Sequence, residues 1–467
     1  MNWFDVYPKS VLSGKESIIR IRPRYADKRF PAKKSAIKIT YHPYDCIAAD
    51  DPAKGFHWTK GDAVLPDSMW ELSNGEVIIK MVFAGEQEHR FLFEYEFEEM
   101  NEAYPVYAKK IVKFAAAVYS LKEDLYSLRP YKGDLHIHSF KSDGQKDPRY
   151  VAARYREEGF DFAAITDHKQ YQPSLDTIAY WEGKKSSDFV LYPGEEVHTP
   201  DNNVHIINFA GKKSVNTMYR EDEALYRKEV AEYEANIPEE EKVAGANIFE
   251  VAASEWAFDK IRENGGLAVY CHPYWKTSTN VLPEALVSNV FKRRKFDALE
   301  LIGGFAAFEQ ESNNFQIVRY MEERMNGSDF PVVGASDSHG TDAFDATPAP
   351  RQTYADPANN HMFSWYYTII FAEENTSESL VENVKKFHSV AVCAKEEKNP
   401  DVYGNFRLIK YTHFLLKEYF PLLKQRCKTE GLLMQEYLAT GDANILNALK
   451  ALDNQTGIFR EKCFGKQ

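Results

Sequence analysis

Through the first 125 residues, apolar and polar positions alternate in short runs. SIIRIRPRY (17–25), SAIKITYHPY (35–44), EVIIKMVF (76–83) and HRFLFEYEF (89–97) are rich in β-branched and aromatic residues, with turn formers between them. Period-two alternation marks half-buried strands, so residues 1–125 are expected to form a β-rich, sandwich-like domain. Its histidines, His42, His57 and His89, are scattered and read as surface or core residues.

From about residue 130 the pattern changes. Short apolar runs now alternate with helical stretches at 148–158, 248–264, 282–293 and 311–326. The runs are GDLHIHS, FDFAAITDH, FVLYPGEEV, VHIINFA, LAVYCHP, FDALELIGG and PVVGASDSH, with HSVAVCA as a last strand near 395. Alternating strands and helices predict an α/β domain over 130–395, with a parallel sheet or barrel covered by helices. Residues 212–246 interrupt the rhythm with charged, tyrosine-bearing helical stretches and a PEEE run, expected as a solvated helix pair or a lid. Residues 400–467 are expected as a helical carboxy-terminal extension that packs or oligomerises.

Composition narrows the class. The 467 residues are 44% hydrophobic and 27% charged, enough for sizeable cores. A formal net charge of -12 disfavours long nucleic acid as a partner but admits a small phosphorylated one, because bound cations supply local positive charge. No apolar run reaches about 18 residues and the start lacks signal-peptide character, so no membrane partner and a cytoplasmic location are expected. The five cysteines are far apart and form no CxxC pair, as expected of reduced thiols. Oligomeric state is not legible.

The chemistry sits at the strand ends. His136 and His138 stand two apart, on one side of a strand. Asp143 follows in the next loop. Later strand ends bring Thr166, Asp167 and His168, then Glu195, Glu196 and His198, then His205, His272, Asp337 and His339. Metal-binding side chains thus recur at nearly every predicted strand end, where α/β barrels build their sites. Imidazole and carboxylate suit zinc, manganese or iron, and this number of donors admits two or three divalent ions. Metals lower the pKa of bound water to about 7, and paired ions clamp both oxygens of a phosphoryl displacement.

The segments GDLHIHSFKSDG, AITDH, PGEE, CHP and GASDSHG resemble the polymerase and histidinol phosphatase (PHP) family of metal-dependent phosphoesterases. The resemblance covers about 130–395 and implies a distorted (β/α)7 barrel. It implies one ion shared by His136, His138, Glu196 and Asp337, a second held by Glu196, His205 and His272, and a third held by Asp143, His168 and His339. Some family members carry histidine at the Asp143 position. Glu195 competes with Glu196, and the fourth position of PGxE favours Glu196.

The implied function is hydrolysis of a small phosphorylated molecule, mono- or diester, with a metal-bridging hydroxide as nucleophile. A metal-dependent amide or lactone hydrolase, or a non-catalytic metal-bound scaffold, are the alternatives. Asp167 and His198 are the catalytic candidates: Asp167 to orient a ligand histidine, His198 to give a proton or to form a pocket wall. Lys169, Lys276 and Arg351 are candidates to grip a phosphate. Cys271, next to His272 on a strand, is expected to point away from the site. Tyr274 and Trp275 line the pocket or pack in the core.

Overall fold

The computed structural model describes residues 3–25, 28–44, 63–100, 107–276, 281–303, 309–341, 363–395 and 399–465. The chain divides into two compact units, one of Met1–Leu128, Lys410–Leu422 and Gly457–Gln467, the other of Arg129–Ile409 and Leu423–Thr456. The chain after residue 400 is shared between them.

In the first unit the alternating runs become strands β1 (Phe4–Tyr7), β2 (Ser10–Leu12), β3 (Glu16–Pro23), β4 (Ile37–Pro43), β5 (Ala63–Val64), β6 (Trp70–Ser73), β7 (Glu76–Val82), β8 (Glu88–Met100) and β9 (Tyr107–Leu121), followed by helix α1 (Glu123–Tyr126). They form two sheets, ordered β1-β3-β7-β6 and β2-β9-β8-β4-β5. The alternation decides which residues face inward. Ile19, Ile21, Val77 and Ile79 of one sheet share a core with Ile39, Phe91, Phe93 and Val118 of the other, while Ile18 and Val82 stay exposed.

His89 is a core histidine. Its Nδ1 lies 2.7 Å from the Tyr41 hydroxyl and its Nε2 2.8 Å from that of Ser120. Burial pushes its pKa down to about 4, so it is neutral near pH 7. His42 is half-buried, and His57 lies outside the described residues.

The second unit runs β10 (Arg129–Asp134), α2 (Pro148–Glu157), β11 (Phe162–Ala164), α3 (Gln172–Trp181), β12 (Val190–Tyr192), β13 (Gly194–Val197), β14 (Ile206–Phe209), α4 (Val215–Glu221), α5 (Glu223–Ala235), α6 (Ile248–Glu263), β15 (Leu267–Tyr270), α7 (Glu284–Arg293), β16 (Ala298–Ile302), α8 (Glu309–Met325), β17 (Val332–Gly334), β18 (Tyr366–Ala372), α9 (Ser377–Lys385), β19 (Ser389–Cys393) and β20 (Asp401–Gly404). Helices α10 (Phe406–Glu418), α11 (Phe420–Thr440), α12 (Ala443–Ala451) and α13 (Gln455–Phe464) follow.

The unit is mixed α/β as expected, but the distorted (β/α)7 barrel is not confirmed: no closed barrel is found among the described residues. The strands make two sheets, β12-β11-β10-β18-β19-β20 and β13-β14-β15-β16-β17. β14 runs antiparallel to β13 and β15, and β18 antiparallel to β10 and β19. Isolated bridges Ile137↔Ser338 and His168↔Glu196 join the sheets instead of a ladder. Along the β17 side, Thr368 Oγ1 donates to the Gly334 carbonyl at 2.6 Å and Ser389 Oγ to that of Val332 at 2.8 Å. Both bridges involve or adjoin candidate ligands, so the junction of the two sheets is where the site forms.

Two features fix the strand ends. A Cβ on Gly133 would fall 2.0 Å from the Phe162 ring, so β10 and β11 can pair only with glycine there. The segment 212–246 is not simply a solvated pair of helices: Val215, Tyr219, Tyr226 and Val230 lie in the core with Ile206 and Trp256. Deeper in this unit the buried Arg156 donates from Nε to Glu430 at 2.6 Å and also binds Asp188. A buried guanidinium is tolerated only when paired in this way.

Candidate metal centre

β10 ends at Asp134, and His136 and His138 follow it, both buried. Their Nε2 atoms lie 3.0 Å apart. Asp337, just beyond β17, brings Oδ1 to 3.2 Å from His136 Nε2 and 2.9 Å from His138 Nε2. Glu196 in β13 brings Oε2 to 3.4 Å from each. Glu196 Oε1 faces the other way, 2.8 Å from His205 Nδ1 and 3.5 Å from His272 Nε2. Towards the mouth, Asp143 lies 3.3 Å from His339 Nε2 and 3.4 Å from His168 Nε2. The structure therefore brings together every candidate ligand of the sequence analysis, in overlapping groups linked through His136, His138, His168, Glu196 and His272.

The alternation of β13 separates the two glutamates. Glu195 points away from the cluster and is fully bonded: Asn208 Nδ2 and the Val215 amide reach Oε1, and Ser214 Oγ and Asn216 Nδ2 reach Oε2. Asn216 also donates to the Glu196 carbonyl at 2.9 Å and accepts from the His198 amide at 3.1 Å. It holds β13 and its exit loop in place. The loop carrying Asp143 is set by Gly144, where a Cβ would meet the His138 carbonyl carbon at 2.8 Å.

The donor set fits divalent cations. Glu196 Oε2, Asp337 Oδ1 and His205 Nδ1 are buried with no hydrogen bond of acceptable geometry. A buried carboxylate oxygen left so costs free energy that a cation would recover. His136 Nδ1 lies 2.8 Å from Glu300 Oε2, which directs the Nε2 lone pair at Asp337 and Glu196. Burial opposes charge on His136, but Asp337, Glu300 and Glu196 outweigh it and raise its pKa well above the usual value. Likewise burial is outweighed at His168, raised to about 10 by Glu196 and Asp143. Burial with the neighbouring His339 instead lowers His138 to about 3. The pocket demands positive charge that its histidines share unevenly.

Other sequence readings resolve differently. Asp167 belongs to none of these groups: it accepts from the Ser139 amide and hydroxyl, both at 2.7 Å, and from Ser142 Oγ at 2.6 Å. It anchors the loop after His138, and Ser142 Oγ in turn lies 3.4 Å from His138 Nδ1. His198 Nε2 is 2.9 Å from His168 Nδ1 and 3.4 Å from Glu196 Oε1.

Cys271 does not point away. Its thiol lies 4.0 Å from Glu196 Oε1 and groups with His136 and His272. β15 stops at Tyr270 and His272 has φ +28°, so strand alternation no longer holds there. β14 is antiparallel, so His205 comes from its amino end rather than its carboxyl end.

Trp275 stands 5.8 Å from the His272 ring and 6.0 Å from that of His205, whereas Tyr274 packs on the core. Lys276 pairs with Glu311 at 3.0 Å, and Arg351 lies outside the described residues. Glu300 was missed by sequence reasoning. Its signal was an acid inside the apolar run ALELI, which a buried strand carries only with a partner. Asn216 gave no such signal.

No family model matches the chain. A stretch of 53 residues is 45% identical to DNA polymerase/3'-5' exonuclease PolX of Bacillus subtilis, covering 11% of this chain and 9% of that protein. A two-domain protein from Bacteroides vulgatus, containing a predicted PHP-like metal-dependent phosphoesterase, overlaps at 14% identity and TM-score 0.36, over 57% of this chain and 65% of its own. A candidate metal-dependent phosphoesterase from Bifidobacterium adolescentis overlaps at 18% identity and TM-score 0.29, over 44% of this chain and 87% of its own. An amidohydrolase from Chromobacterium violaceum overlaps at 16% identity and TM-score 0.31, over 44% and 87%. The chain thus spans less than two thirds of the first solved relative and under a tenth of the curated one.

Proposed function

We propose that this chain is a metal-dependent phosphoesterase that hydrolyses a small phosphorylated molecule. The observation that carries this reading is the position of Glu196. Its Oε2 faces the His136–His138 pair and lies 2.6 Å from His168 Nδ1, while its Oε1 faces His205 and His272. A carboxylate so placed would serve two neighbouring ions. His136, His138, Glu196 and Asp337 would hold one divalent ion, Glu196, His205 and His272 a second, and Asp143, His168 and His339 a third. Zinc, manganese and iron all suit these donors. Such ions, when bound, supply a water acidic enough to attack at neutral pH and positive charge for the phosphoryl oxygens.

The chain's own residues do the rest. Glu300 fixes the His136 ring, and Asn216 fixes the backbone from the Glu196 carbonyl to the His198 amide. Asp167 is a positioning residue, holding the Ser139–Ser142 loop. His198 borders both the ligand groups and a cavity, so of the two catalytic candidates it is the one able to touch substrate.

The test is a substrate panel. The full chain loaded with manganese or zinc is expected to cleave an aryl phosphate mono- or diester, and His136→Ala is expected to do so at no more than background. Equal turnover by both would sink the reading. Turnover confined to amides or lactones would move the assignment to that class.

A further inference from the structure

A cavity of about 580 Å³ opens beside the ligand groups, with His198 and His205 on its wall. Two cations, Lys169 and Arg220, also line it. Neither makes an ion pair with a described residue. The acid on the same wall, Asp201, is paired with Arg227 at 2.8 Å. Both side chains are exposed, and the Arg220 guanidinium lies 5.7 Å from the Tyr219 ring centroid.

Both are tied to the ligand cluster through the backbone. The Lys169 amide donates to the Glu196 carbonyl at 2.9 Å, and Lys169 holds φ +59°, a conformation side chains rarely adopt. Arg220 stands one helical turn after Asn216, whose side chain donates to the same carbonyl. The backbone at both residues is therefore held relative to Glu196.

We infer that this cavity is a subsite for a second anionic group, so that the substrate carries, beyond its scissile phosphoester, a carboxylate or phosphate recognised by Lys169 and Arg220. The inference rests on the phosphoesterase reading for what occupies the metal centre. Its own content is the class of group in the cavity: planar carboxylates and phosphates take charge-assisted hydrogen bonds from guanidinium and ammonium donors. Asn203 on the same wall offers neutral hydrogen bonds to the body of such a substrate.

The test uses the manganese-loaded full chain and calorimetric binding of two non-hydrolysable probes, phenylphosphonate and 4-carboxyphenylphosphonate. The carboxylated probe is expected to bind about tenfold more tightly, the sum of two solvent-exposed ion pairs. Arg220→Gln and Lys169→Gln are each expected to shrink that preference to about threefold or less. Lys228→Gln, which removes a charge from α5 outside the cavity, is expected to keep it. A bisphosphonate probe, 4-phosphonophenylphosphonate, distinguishes a phosphate-type from a carboxylate-type group by whichever of the two charged probes binds tighter. Equal affinity for the plain and charged probes, or a preference that survives both cavity variants, overturns the inference. Selective binding without turnover of either corresponding phosphate would leave the subsite standing and reject the phosphoesterase reading.

Discussion

Two buried histidine environments in this chain teach how to tell structure from chemistry. His89, in the first unit, has both ring nitrogens facing hydroxyls, Tyr41 and Ser120, and no carboxylate near it in its hydrogen-bonded shell. Burial simply drives it neutral. His136, in the second unit, is equally buried but faces Glu300, Asp337 and Glu196, and two of the surrounding carboxylate oxygens, crowded by imidazole nitrogens, make no hydrogen bond of acceptable geometry. The same residue type at the same depth is a satisfied core group in one place and a demand for external positive charge in the other. The discriminating quantity is the excess of unsatisfied carboxylate, not burial.

The comparison breaks most sharply at Glu196. Glu196→Gln removes the shared charge, and turnover is expected to fall below about a thousandth, with at least one ion lost by elemental analysis. Retention of the full metal complement would contradict the bridging role.

The contrast with His89 is a matter of pH. Its folded pKa of about 4 lies below the unfolded value of about 6.5, so its contribution is fully present above pH 6.5 and disappears as pH falls towards 4. About 3 kcal/mol of stability should go with it. Denaturant unfolding at pH 7 and pH 4.5, with His89→Gln as reference, measures the difference. A variant with the same pH slope as the parent would refute the assignment.

A subtler break is Glu300→Gln, which keeps the shape but weakens the hold on the His136 ring. Metal affinity should drop roughly 10–100-fold, read by chelator competition, while the fold persists. The smallest effect is expected at Cys271. Burial and the nearby Glu196 push its thiol well above the usual range. Cys271→Ala should therefore cost about 1 kcal/mol of packing and leave the metal content intact. Loss of an ion in that variant would make the thiol a ligand.

Much of the site was legible in the sequence because its donors are chemically distinctive and recur in order: HxH, SDG, TDH, PGEE, CHP and DSH. Strand placement was legible from apolar runs, and the β-rich start from period-two alternation. Direction and side were not. Nothing local in VHIINFA says that β14 runs against its neighbours, nor that the strands divide into two sheets joined by isolated bridges. Cys271 was placed on the wrong side because alternation was carried past Tyr270, where the strand ends and His272 turns to positive φ. Asn216 and Arg220 act only through the tertiary position of α4, inside a charged segment whose exposed faces hid its buried one.

The central claim is that the second unit's histidines and carboxylates exist to hold cations. Elemental analysis of the purified full chain after equilibration with manganese or zinc and removal of free metal tests it most directly. The account predicts about two or three ions per chain, reduced in Glu196→Gln and His136→Ala. Less than one ion per chain in the unsubstituted protein would contradict it.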